Sequence, residues 1–84
     1  MKFTYKTRDV CSSEIHFELE DGVVKNIVFI GGCNGNLKAI AKLCEGMEAE
    51  KLERTLAGNT CGGKATSCAD QLARAVRAAR DGSL

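Results

Sequence analysis

The stretch "SSEIHFELEDGVVKNIVFI", residues 12–30, decides the fold. Its first half alternates. Ile15, Phe17 and Leu19 fall on one face and Glu14, His16, Glu18 and Glu20 on the other, the period of two of a half-buried strand. Asp21-Gly22 is a tight-turn dipeptide suited to a hairpin, and "VVKNIVFI" is the returning strand. Upstream, "FTYKTR", residues 3–8, alternates in the same way and reads as a further short strand. Three strands in succession form an antiparallel meander with one apolar face, and that face needs a cover.

The cover follows in the chain. From Asn36 onward, Leu37, Ile40, Ala41 and Cys44 recur at the i, i+3, i+4, i+7 spacing of one helix face. "EGM" breaks that helix at Gly46. A second helix is expected from Ala49 to Leu56, burying Leu52 and Leu56, with Gly58 as its C-cap. After "GNTCGGKA" a third helix begins near Ser67, with Ala69, Leu72, Ala73 and Val76 inward and Arg74, Arg77 and Arg80 toward solvent. The expected class is α+β: a small three-stranded antiparallel sheet followed by three helices packed on one face, in the order βββααα.

Eighty-four residues suffice for a single domain, 1–84. A core of that size commonly gains from a metal, a disulfide or an oligomer. A net charge of +1 supplies no bulk attraction to nucleic acid or to a membrane surface. The longest apolar run, residues 27–30, is far too short to span a bilayer. "MKFTYKTRDV" lacks the apolar segment of a secretory signal, so a cytoplasmic location is expected. No carboxylate pair, Ser–His–Asp order or nucleotide-hydrolase loop is present, and no catalytic residue is assigned. The single histidine, His16, lies among glutamates as a solvated surface residue. A short exposed first strand could pair with its copy in a homodimer.

Five cysteines in 84 residues is a high density. In a reducing compartment this favours metal or redox chemistry over structural disulfides, and the odd number argues against a fully paired framework. Cys44, on an apolar helix position, reads as a core thiol. The other four lie at junctions. Cys11 ends the connection between the first two strands, and Cys33 separates the third strand from the first helix. Cys61 lies in a glycine loop, and Cys68 lies in the first turn of the third helix. A helix N-terminus offers unsatisfied N–H groups and the positive end of the macrodipole. Thiols there, Cys33 and Cys68, are better nucleophiles and metal ligands. Asn34 or Asn36 can cap the first helix, and Ser67 the third, with Asp70 as a capping-box partner. Glycines beside Cys33 and Cys61 let backbone amides converge on one centre.

Three chemistries are open at this point. Cys11, Cys33, Cys61 and Cys68 can surround zinc or an iron–sulfur cluster, since all-sulfur sites select these metals. Cys61 and Cys68 can form a reversible disulfide, although no Cys-x-x-Cys is present. Finally, Gly32, Asn34, Gly35 and Asn36, with Gly62, Gly63 and Lys64, can hold the phosphate of a nucleotide or flavin.

"TSCADQLARA", residues 66–75, resembles the TSCPD domain, a module named for its Thr-Ser-Cys-Pro-Asp run. With "VCSSEIHFEL", "VFIGGCNGNLKAI" and "CGGKATSC", nearly the whole chain is similar to a stand-alone bacterial family of four-cysteine proteins. The resemblance implies that Cys11, Cys33, Cys61 and Cys68 are the family's four cysteines and that Cys44 is extra. Ala69 stands where the family's name has proline, a change that removes no ligand atom and suits a first helical turn. The TSCPD domain also occurs at the C-terminus of adenosylcobalamin-dependent ribonucleotide reductases. That implies a link to ribonucleotide reductase or another metabolic enzyme. The reductase reaction needs a large barrel, so an accessory role is expected of these 84 residues. The chain is also distantly similar to U-type iron–sulfur cluster scaffold proteins, whose three cysteines come in the order of Cys11, Cys33 and Cys68. Ser67 stands where that family has histidine.

Overall fold

The computed structural model describes residues 1–8, 10–32, 34–59 and 66–84. Strands β1 (Lys2–Lys6), β2 (Ser12–Glu20) and β3 (Val23–Gly31) run as the expected meander. They are followed by α1 (Asn34–Cys44), a two-residue strand β4 (Met47–Glu48), α2 (Ala49–Leu56) and α3 (Cys68–Asp81). The sheet is antiparallel, with its strands in sequence order and β1 at one edge.

Between Glu20 and Val23, which pair directly, the hairpin loop is Asp21-Gly22, with φ of 50° and 78°. Positive φ at both central positions is the type I′ turn, whose twist matches that of the flanking strands. Glycine takes the second of these conformations without a Cβ penalty. Further along β3 the register shifts. His16 pairs with Val28 but Glu18 pairs with Lys25, so Asn26 and Ile27 together face Phe17. Asn26 has φ 53°, donates its N–H to Glu45 Oε1 at 2.7 Å, and donates Nδ2–H to Glu18 Oε2 at 2.7 Å. This bulge resets the alternation. Val24, Ile27 and Phe29 share the core face, while Val28 and Ile30 stand exposed on the opposite face with His16.

The core lies between one sheet face and the helices. Ile15, Phe17, Val24 and Ile27 meet Cys44, Ala49, Leu52, Leu72, Ala73 and Val76. Burying a side chain of this kind contributes roughly 1.5–3 kcal/mol. Phe3 extends the layer toward the edge, its ring stacked on Phe17 with centroids 5.5 Å apart. As the periodicity required, Ala69, Leu72, Ala73 and Val76 are buried and Arg74, Arg77 and Arg80 are exposed.

Three boundaries differ from expectation. Among the described residues the sheet has four strands, because Met47–Glu48 pairs with Val23–Val24. Gly46 N–H donates to the Val24 carbonyl and Ala49 N–H to the Gly22 carbonyl, both at 2.8 Å, closing β4 onto the hairpin. A two-residue strand carries no periodicity, so its sequence is silent. β1 ends at Lys6, since Thr7 turns away to bond Ser12 and Ser13. α1 starts at Asn34, which puts Asn36 inside the first turn and removes it as an N-cap. No helix among the described residues is long and apolar enough to cross a membrane.

Candidate functional site

The site forms where the β1–β2 connection meets the start of α3. Ser67 caps α3. Its side chain accepts the Asp70 N–H at 3.1 Å while its hydroxyl donates to the Asn59 carbonyl. Cys68 is therefore held at the first helical position, 8% exposed. Opposite it, the β1–β2 connection is tied down at several points. Thr7 Oγ1 donates to the Ser12 carbonyl at 2.5 Å and Thr7 N–H to the Ser13 carbonyl at 3.1 Å. Arg8 N–H reaches the Gln71 Oε1 of α3 at 3.2 Å.

These anchors bring Cys11 Sγ to 3.7 Å from Cys68 Sγ, between residues 57 positions apart in the chain. Buried Ser12 adds its hydroxyl, with Oγ 3.2 Å from Cys68 Sγ. Cys11 itself is exposed, so the pair joins a surface sulfur to a covered one. The end of β3 presses on the same spot. Gly32 has φ +82°, and a Cβ there would lie 2.9 Å from Ser12 N, 2.9 Å from Leu37 Cδ1 and 3.1 Å from the Cys11 carbonyl carbon. Only glycine fits that approach. The strand that leads into Cys33 thus exits beside Cys11.

Behind the sulfurs lies a polar network that stripe reading misses. Asp70, 2% exposed, does not reach back to the Ser67 N–H as a capping-box partner does. Its carboxylate accepts the Gly58 N–H at 2.7 Å, the Thr66 hydroxyl at 2.5 Å and Arg74 Nε at 2.9 Å. Gln71 Nε2 donates to Thr66 Oγ1 at 3.0 Å. Burial pushes the Asp70 carboxyl up, but the bonds from Thr66 and Gly58 and the Arg74 guanidinium outweigh it and hold the carboxyl below its usual value. The network ties the end of α2 to the start of α3, clasping both sides of the segment that contains Cys61. Thr66 and Asp70 at i, i+4 were the available signal, together with a glutamine beside an apolar stripe.

The remaining candidates separate. Cys44 is buried in the apolar core, and burial pushes its thiol up. Gly35 and Asn36 are exposed in the first turn of α1, at whose first position Asn34 stands. Cys33, Cys61, Gly62, Gly63 and Lys64 lie outside the described residues. Among the described residues, no group of three or more His, Cys, Asp or Glu side chains sits together as a metal site. His16 bonds Glu14 Oε1 at 2.9 Å on the wet face of the sheet.

A strand meander with helices on one face, and two thiols brought together from the β1–β2 connection and the start of α3, defines a small α+β cysteine module. The chain belongs to the TSCPD domain family, which it matches over residues 2–80. No curated protein and no solved structure matches it.

Proposed function

We propose that the chain is a small metal-binding module in which Cys11, Cys33, Cys61 and Cys68 hold one zinc ion as thiolates. The observation that carries this reading is the 3.7 Å separation of Cys11 and Cys68 sulfurs. Two thiolates on one tetrahedral zinc, each at about 2.3 Å, are about 3.8 Å apart. In a cubane cluster each thiolate sits on a different iron and the sulfurs stand farther apart, so the spacing favours two thiolates on one metal, as on zinc or on one iron of a two-iron cluster. The Ser12 hydroxyl supplies an outer hydrogen bond to the Cys68 sulfur, the usual support of a bound thiolate. Gly32, packed on Cys11–Ser12, is the residue before Cys33 in the chain, and the Asp70 clasp holds Gly58 and Thr66, three residues before Cys61 and five after it. A closed four-thiolate set has no open position, so the metal is structural and the chain acts as an accessory. The partner we propose is a ribonucleotide reductase or another enzyme of nucleotide metabolism.

The test is anaerobic purification followed by elemental analysis and an absorption spectrum. The expected result is one zinc per chain, lost in Cys68→Ser and kept in Cys44→Ser. A brown protein with acid-labile sulfide replaces zinc by a cluster. Metal-free protein with all five thiols titrating overturns the reading.

A further inference from the structure

We infer that Cys11 and Cys68 also form a dithiol site that a small hydroperoxide oxidises to an intramolecular disulfide. The inference concerns the metal-free chain and rests on the described sulfur pair alone, so it is independent of whether zinc binds. A disulfide bond is about 2.05 Å long, and the two sulfurs already stand 3.7 Å apart, at van der Waals contact.

The two thiols have unequal surroundings, which assigns the order of events. Cys11 is exposed, so a solute meets it first. Cys68 is covered, lies at the positive end of α3, and has the Ser12 hydroxyl 3.2 Å from its sulfur. In the first step the Cys11 thiolate attacks the peroxide, the O–O bond breaks, and Cys11 sulfenic acid and an alcohol leave the step. In the second step the Cys68 thiolate attacks the Cys11 sulfur. The S–S bond forms, the S–O bond breaks, and hydroxide leaves and takes up a proton as water. The balance is two thiols and one hydroperoxide to one disulfide, one alcohol and one water. The covered position of Cys68 keeps the second thiol from reacting with peroxide on its own.

The sequence makes the experiment direct, because trypsin places each cysteine on a separate peptide. Cys11 falls on residues 9–25, Cys33 on 26–38, Cys44 on 43–51, Cys61 on 55–64 and Cys68 on 65–74. Chelator-treated protein is oxidised with one equivalent of hydrogen peroxide, alkylated, digested and mapped. The expected product is peptide 9–25 linked to 65–74 within one chain, with two thiols lost per peroxide and both restored by dithiothreitol. The same link is expected in the triple variant Cys33→Ser, Cys44→Ser, Cys61→Ser. Should that variant not fold, the map of the unmodified chain decides. Sulfinic acid on Cys11, a disulfide between chains, or a first link to any other peptide overturns the inference. Zinc content is read separately, so a metal-free protein that forms this link refutes the zinc reading and leaves the dithiol standing.

Discussion

Among the described residues two thiols are covered, and the difference between their surroundings teaches more than either alone. Cys44 ends α1 inside an apolar cluster with Ile15, Phe17 and Leu52 as fellow members. Cys68 starts α3 beside a second sulfur and a hydroxyl. Exposure barely separates them, at 3% and 8%. Polarity of the contacts does. A thiol among hydrocarbon is packing, and burial makes its ionisation harder. The thiol at a helix start with polar neighbours is the one to which we assign chemistry in our proposal.

That contrast can be broken from its polar side first. Asp70→Ala leaves the Gly58 N–H and the Thr66 hydroxyl without their acceptor, so a loss of about 3 kcal/mol is expected in urea unfolding. The conservative Asp70→Asn reads the charge. The folded carboxyl releases its proton more readily than the unfolded one, so its contribution is full above the unfolded value near about 4. It is lost as pH falls through the lower folded value. The variant is expected to flatten that acid limb of stability.

Gly32→Ala is the next largest effect, roughly 2 kcal/mol, from a strained positive φ and contact with the Ser12 backbone. Gly35→Ala, three residues on, meets open space in a helix and is expected to stabilise by up to about 1 kcal/mol. If both substitutions cost the same, the close packing of β3's end on Cys11–Ser12 is wrong. The smallest effect sharpens the apolar side. Cys44→Ala is expected to cost about 1 kcal/mol and to leave metal content unchanged, because it deletes one packed sulfur and no ligand.

How far the chain could be read beforehand follows the same division. The hairpin of residues 12–30 was legible because alternation and Asp21-Gly22 act locally, and α2 and α3 were legible because their apolar stripes repeat. β4 was not, since two residues hold no period. Nor was the bulge at Asn26, which sets Val28 and Ile30 outward through a register shift that only the paired strand defines. At the site, Cys11 and Cys68 were named from their junctions, but their contact is a tertiary fact that spacing does not encode. Asp70 was recognised as a capping residue by type, and its true partners lie on α2's end and on Thr66, beyond the reach of a local motif.

The Cys11–Cys68 contact also has a topological meaning. A bridge across it, ionic or covalent, closes residues 11 to 68 into a ring that holds β2, β3, β4, α1 and α2. Only β1 and α3 emerge from it as tails. For a loop of this length the unfolded chain loses conformational freedom equivalent to about 4 kcal/mol. That is comparable to the whole stability of a small domain. The melting temperature of this chain should therefore report whether the ring is closed, and opening it should loosen the fold as a whole.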